Sequence, residues 1–252
     1  MLSKRDILNI NNIVYKAGSA VLEIYDTDFD VETKSDNSPL TIADKKSHQI
    51  IVSGLKKLYP DIPILSEEGK DTEYSERRKW DTFWLVDPID GTKEFIKKNG
   101  EFTINIALIK NNYPIFGSVY APYLKELYWA SEGLGSWKSE NKKPELQIFT
   151  NSNDKKNRIV ISRSHPNEKV TDFISKYDSY ELIRMGSSLK LCCIAEGKAD
   201  IYPRLGPTSE WDIGAAQCIV EEAGGNVLEY DTNVRLSYNK KNILNPFFIV
   251  SS

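Results

Sequence analysis

Acidic residues recur in this chain at the ends of apolar runs, where a buried strand has no structural use for them. "FWLVDPIDGTKEF", residues 83–95, leads four apolar residues into Asp87 and sets Asp90 three places on, beside Gly91 and Thr92. Pro88 stiffens the turn and Gly91 permits a backbone conformation closed to other residues. The following "KEFIKK" starts like a helix, and a helix start directs free N–H groups outward, favouring anions. "ILSEEG" places Glu67 and Glu68 at the end of a second apolar run, and "SEWDIGAAQ" places Asp212 at the head of an amphipathic helix. Taken singly, each acid has an ordinary reading: Asp87 and Asp90 as turn or cap residues, Glu68 and Glu210 as solvated charges. Gathered at one edge, they would repel one another unless cations sat among them. Oxygen ligands without nearby His or Cys suit Mg2+ or a similar hard ion. Two such ions roughly 3.5–4 Å apart are the usual equipment for displacement at phosphorus.

The elements that must position these acids follow from periodicity. Ile7, Ile10, Val14, Ala17 and Val21 predict a helix over 3–25 behind a Ser3 cap, and a second helix spans 41–59, with Thr41 and Asp44 forming a capping box. Strands are expected at "IPILSEE", "TFWLVDP", "FTINIALI", "IFGSVYAP" and "KELYWASE". Around residues 137–157 the chain turns polar and rich in Lys and Asn, which suggests a subdomain boundary. Beyond it, strands and helices alternate to the end. The expectation is an α+β subdomain over 1–150 carrying most of the acids, and an α/β subdomain over 151–252 carrying Asp212.

Composition narrows the classes of function. The 252 residues are 40% hydrophobic and 27% charged with a net charge of −3, an ordinary globular balance without the basic surface that non-specific nucleic-acid binding wants. No apolar stretch approaches the roughly 20 residues of a membrane span, and the first residues lack a signal-peptide pattern. Cys192, Cys193 and Cys218 are odd in number and fit buried thiols in a reducing compartment, so the expected location is cytoplasmic.

"SEEG", "DPIDGT" and "WDIGAA" stand in this order, and with them the sequence resembles the inositol monophosphatase superfamily of Mg2+-dependent, Li+-sensitive phosphatases, over nearly the whole chain. The resemblance implies a layered αβαβα sugar-phosphatase-like fold. It makes Glu67, Asp87 and the Ile89 carbonyl ligands of one Mg2+, and Asp87, Asp90 and Asp212 ligands of a second. Glu68 matches the position of a weaker third ion. Gly91 and Thr92 would offer backbone N–H groups to the phosphate, while Asp44, in "TIAD", and Thr92 would orient the attacking water, with Glu67 also at the reacting centre. His48, inside the second helix, is read as a surface or packing residue.

"DGTKEF", "EWDIGAAQ" and "GSSLKLCCIAEGKADIYPR" are similar to the 3'(2'),5'-bisphosphate nucleotidases of the CysQ type. That implies removal of the 3'-phosphate of adenosine 3',5'-bisphosphate, with 3'-phosphoadenylyl sulfate as a further substrate. Lys190, Arg204 and Ser187 are candidates for the phosphate that stays, and His165 for the base. Lys190 could instead be a solvated helix residue, and Arg204 the partner of a surface acid. An inositol or sugar phosphatase, or a non-catalytic nucleotide- or metal-binding relative, are the alternatives. The only partner expected is a small nucleotide, bound by a monomer or homodimer. Peripheral membrane association is raised by the resemblance alone.

Overall fold

The computed structural model describes residues 2–28, 31–33, 39–70, 72–151, 157–164 and 167–252. Helix α1 (Lys4–Tyr25) begins at a capping box in which Ser3 and Asp6 satisfy each other's N–H groups. A two-stranded hairpin, β1 (Val31–Thr33) and β2 (Pro39–Thr41), leads into α2 (Ile42–Leu58), which opens on the expected Thr41–Asp44 box. The hairpin had no signal in the periodicity.

A seven-stranded sheet carries strands β3 (Ile64–Ser66), β4 (Thr82–Asp90), β5 (Thr103–Lys110), β6 (Tyr113–Ala121), β7 (Glu126–Ser131), β8 (Gly135–Glu140) and β9 (Leu146–Ile148) in chain order. β3 lies parallel to β4, and every later pair is antiparallel. The unbroken apolar run in β4 is explained by burial on both faces. Trp84 and Val86 pack with the buried stripes of α1 and α2, and Phe83 and Leu85 join the opposite cluster. Short helices α3 (Tyr74–Arg77) and α4 (Thr92–Ile96) flank β4.

The second sheet holds β10 (Asn157–Ser162), β11 (Tyr180–Met185), β12 (Ile201–Arg204), β13 (Asn226–Glu229) and β14 (Phe248–Ser251) in the order β11-β10-β12-β14-β13. Helices α6 (Leu189–Ala195) and α7 (Glu210–Glu222) lie between the two sheets, and α5 (Glu168–Ile174) packs on β12. The architecture is αβαβα. α7 comes late in the chain but packs on β4 through β8, which carries Asp212 back to the strands that bear the other acids.

The polar stretch 137–157 is not a simple linker. It starts inside β8 and includes β9, while 152–156 lie outside the described residues. Lys138, within this polar stretch, is buried, and Glu126, Glu140 and Glu196 surround its ammonium at 2.9–3.0 Å. Cys192, Cys193 and Cys218 are free and buried. No helix among the described residues is long and apolar enough to cross a membrane.

Candidate active site

In a regular strand, residues three apart point to opposite faces, so Asp87 and Asp90 should diverge. The β4–β5 register shifts between them: Asp87 faces Asn105 and Asp90 faces Thr103, leaving two residues of β4 opposite one of β5. This bulge turns both aspartates into one cavity. The Asp87 Oδ1 accepts the Ile89 N–H at 3.1 Å, which tightens the turn after Pro88. Gly91 then takes φ +88°, the left-handed region, and its carbonyl accepts the first N–H bonds of α4, from Glu94 and Phe95.

Glu67 enters beside them because its N–H continues the β3–β4 pairing onto the Val86 carbonyl at 3.1 Å. Asp212 arrives from the first turn of α7, where Oδ2 accepts the Ser209 N–H at 2.9 Å. The cavity, about 270 Å³, is lined by Glu67, Asp87, Asp90 and Asp212 together with Gly91 and Thr92. Burial, then the charges of Glu67, Asp90 and Asp212, push Asp87 well above the usual carboxylate range. Burial and the nearby Asp90 and Glu67 push Asp212 up to about 8. Among the described residues no three such side chains already converge into a finished coordination shell. The donor set is nevertheless all oxygen, and its mutual repulsion is what a hard divalent cation would relieve.

Asp44 is buried behind the cavity lining, capping α2 and meeting the cavity through Thr92. Its Oδ2 accepts the Thr41 N–H at 2.8 Å and the Thr41 hydroxyl at 2.6 Å, while Oδ1 lies 3.3 Å from Thr92 Oγ1. The Thr92 hydroxyl is also 3.3 Å from the Ile89 carbonyl. Ser47, one turn along α2, donates to the Pro88 carbonyl at 2.8 Å and locks α2 to the turn.

The same cavity is lined by cations as well, Lys93, Lys190 and Arg204. Lys190 is only 6% exposed, so it is not a solvated helix residue; its ammonium donates to the Ser187 carbonyl at 2.6 Å and lies 5.6 Å from the centre of the Tyr202 ring. Burial pushes it down to about 8 against the pull of Asp90. Among the described residues Arg204 donates to the Pro207 carbonyl at 2.6 Å rather than to a surface acid, and its buried Nε has no partner there. Ser187, at φ +48°, shares a 2.7 Å hydrogen bond with Thr103. A second cavity of about 720 Å³ shares Lys93, Ser162, Tyr202 and Arg204 with the first and continues along α5 and β11. His165 lies outside the described residues. Glu68 does not line the acidic cavity; it is half-buried near His48, whose Nδ1 is 2.9 Å from Ser66 Oγ.

Ser188 escaped the sequence reading. Its hydroxyl stands 2.9 Å from Asp90 Oδ2 and 2.8 Å from the Asp212 carbonyl, and accepts from Asn105 Nδ2 at 2.9 Å. It joins two acids from distant parts of the chain, and only its place in "GSS" hinted at it. Glu210, expected as a solvated charge, is fully buried instead. Its carboxylate accepts the N–H groups of Asn239 and Lys240 at 2.8 and 2.9 Å and pairs with the Lys240 ammonium at 2.8 Å.

Fold and site together define a layered protein of helices and sheets whose pocket combines hard oxygen ligands with cations suited to an anion. The chain belongs to the inositol monophosphatase family, whose pattern matches residues 3–247. It is 43% identical over 238 residues to the 3'(2'),5'-bisphosphate nucleotidase CysQ of Salmonella typhimurium, covering 93% of this chain and 95% of that one. The crystal structure of CysQ from Bacteroides thetaiotaomicron superposes with a TM-score of 0.85 at 42% identity, covering 97% of this chain and 96% of that one. An IMPase of Thermotoga maritima superposes at 0.82 with 26% identity, covering 99% and 92%.

Proposed function

We propose that this protein is a divalent-metal-dependent phosphomonoesterase that removes the 3'-phosphate of adenosine 3',5'-bisphosphate, giving AMP and phosphate, and that it also accepts 3'-phosphoadenylyl sulfate. One observation carries the reading: a pocket lined by four carboxylates is lined also by a buried lysine and an arginine. A simple monoester needs the carboxylates; a substrate with a second phosphate needs the cations too. The 43% identity to CysQ nucleotidases supports the same choice.

Glu67, Asp87, the Ile89 carbonyl, Asp90 and Asp212 would hold two Mg2+ ions. These would neutralise the phosphoryl oxygens, make hydroxide available near neutral pH and stabilise the leaving alkoxide. The protein's own part is positioning and proton handling. Thr92, its hydroxyl between Asp44 Oδ1 and the Ile89 carbonyl, presents a lone pair that orients water, and Asp44 is the base that draws the proton away through it. The Gly91–Thr92 backbone at the start of α4 faces the phosphate. Ser187, Lys190 and Arg204 hold the phosphate that is not cleaved, and the larger adjoining cavity has room for the nucleoside.

The experiment is phosphate release from adenosine 3',5'-bisphosphate, inositol 1-phosphate and fructose bisphosphate, side by side with Mg2+ and after exhaustive chelation. Preference for the nucleotide, lost on chelation, supports the proposal. Preference for inositol 1-phosphate overturns the substrate, and full activity after chelation overturns the metal.

A further inference from the structure

Three segments that wall the pocket meet at one residue that does not line it. Glu101 lies in the loop between α4 and β5 and has a side chain 17% exposed. Its Oε2 accepts the Gly186 N–H at 2.8 Å and the Arg163 Nε–H at 2.7 Å, and its Oε1 accepts from Arg163 Nη2 at 2.7 Å. Arg163 extends β10, and its Nη2 also donates to the Arg184 carbonyl at 2.7 Å. Gly186 opens the turn that carries Ser187 and Ser188. The fit is close on all sides. A Cβ at Gly186 would come within 2.8 Å of the Glu101 carbonyl oxygen, and one at Gly91 within 3.2 Å of that same atom.

We infer that Glu101 is a positioning residue for substrate recognition: its carboxylate clamps the 186–188 turn to the end of β10 and so sets Ser187, Lys190 and the 162–164 segment for the phosphate that is not cleaved. The inference rests on the proposed substrate. The geometry explains why a charged clamp is used. Ser187 sits at a positive φ that a non-glycine residue holds only when its surroundings over-determine it. Its hydroxyl is held by Thr103 and its carbonyl by Lys190. The N–H just before it, that of Gly186, is held by Glu101. A bidentate carboxylate–guanidinium pair fixes distance and plane together, which a single hydrogen bond does not. Neither Glu101 nor Arg163 lines the cavity, so loosening the pair should act on binding more than on the chemical step.

The test measures Glu101→Gln, Arg163→Ala and Arg163→Lys in the full chain with Mg2+, with thermal melting as a fold check. With adenosine 3',5'-bisphosphate, KM should rise about tenfold in Glu101→Gln and Arg163→Ala, the scale of one charge-assisted hydrogen bond, with kcat changed less. 3'-AMP should show little change in KM, and Arg163→Lys should recover part of the loss. Hydrogen–deuterium exchange at the Gly186 amide should speed up in Glu101→Gln while β5 stays protected, a readout that needs no substrate. Unchanged exchange and unchanged KM overturn the inference; so does an equal loss on both substrates together with a lowered melting temperature, which marks a structural residue. If the wild type fails on the bisphosphate but exchange at Gly186 responds, the substrate reading falls and the clamp stands.

Discussion

Lys138 and Lys190 are buried to the same degree, at 7% and 6% exposed, but their surroundings are opposite. Lys138 is ringed by Glu126, Glu140 and Glu196, and these contacts outweigh burial and raise its pKa. Lys190 touches a carbonyl and an aromatic ring, and burial pushes it down to about 8. The same contrast separates two acids in the first turn of α7. Glu210 is closed by the Lys240 ammonium and two backbone N–H groups, whereas Asp212 looks into a cavity among other carboxylates and is pushed up to about 8. Charge that the fold neutralises is architecture. Charge left for something absent from the chain is a site.

The largest expected effect breaks that comparison at the acids. Asp90→Asn should keep the fold, since an amide still suits the turn, and nearly abolish turnover because a neutral amide is a poor ligand for a hard cation. Glu210→Gln should do the reverse. It leaves the Lys240 ammonium without its counter-charge and should cost toward the lower end of ~3–5 kcal/mol, because Lys240 also donates to Ser237 and Asn245. Turnover per folded molecule should remain. Denaturant unfolding and Mg2+-supported kinetics on both variants decide it; a folded, fully active Asp90→Asn would reduce Asp90 to a turn residue.

Next come the lysines. Lys190→Ala or Arg204→Ala should lower kcat/KM for adenosine 3',5'-bisphosphate about tenfold to a hundredfold, at 1.5–3 kcal/mol for a charge-assisted contact. With 3'-AMP, which has no 5'-phosphate, most of that loss should vanish. Lys138→Met should lower stability and leave both substrates alone. Equal losses on both substrates for Lys190→Ala would put it in the same architectural class as Lys138.

What could be read in advance follows the same division. "DPIDGT" and "WDIGAA" announce their acids because acids at the ends of apolar runs are chemically anomalous in the sequence itself. The Ser3 and Thr41 caps and most strands were legible because caps and periodicity are local. The β4 bulge, which turns Asp87 and Asp90 to one side, depends on pairing with β5 and leaves no mark in β4 alone. Glu210 looked solvated because its partner lies thirty residues away at Lys240. The burial of Lys138 left no mark in its polar stretch for the same reason, with Glu196 far along the chain. Ser188 could not be ranked above Ser187 until the fold set its hydroxyl between Asp90 and Asp212.

Ser188 gives a smaller, sharper test of how the acids are held. Ser188→Ala removes the hydroxyl that bridges Asp90 to the Asp212 carbonyl without altering a charge. The loss should be about tenfold in kcat/KM at limiting Mg2+, at the lower edge of the 10–100-fold range for groups that orient ligands, and should shrink as Mg2+ is raised. A loss that ignores Mg2+ would assign Ser188 to substrate rather than to Asp90.

The smallest effect is on stability and needs no substrate. An aspartate ordinarily titrates near 3.8, but Asp212 is held up to about 8 in the folded chain, and Asp87 is shifted the same way. Below about pH 4 both native and unfolded chains keep these protons, so nothing is lost. Between there and about pH 8 the native state retains protons that the unfolded chain has released, and stability falls as pH rises. A divalent cation reverses the trend, because it binds the deprotonated carboxylates and stabilises only the folded chain. Chelated protein should therefore melt several degrees lower at about pH 8 than at about pH 5, and added Mg2+ should restore most at the alkaline end. Asp212→Asn should flatten the chelated profile, since an amide has no proton to lose, and should blunt the Mg2+ response. Glu210→Gln should lower the whole curve and leave the Mg2+ response in place. If instead the chelated wild type is equally stable across this range and indifferent to Mg2+, the carboxylates of the cavity are neutralised from within the chain. The difference drawn between Asp212 and Glu210 would then disappear.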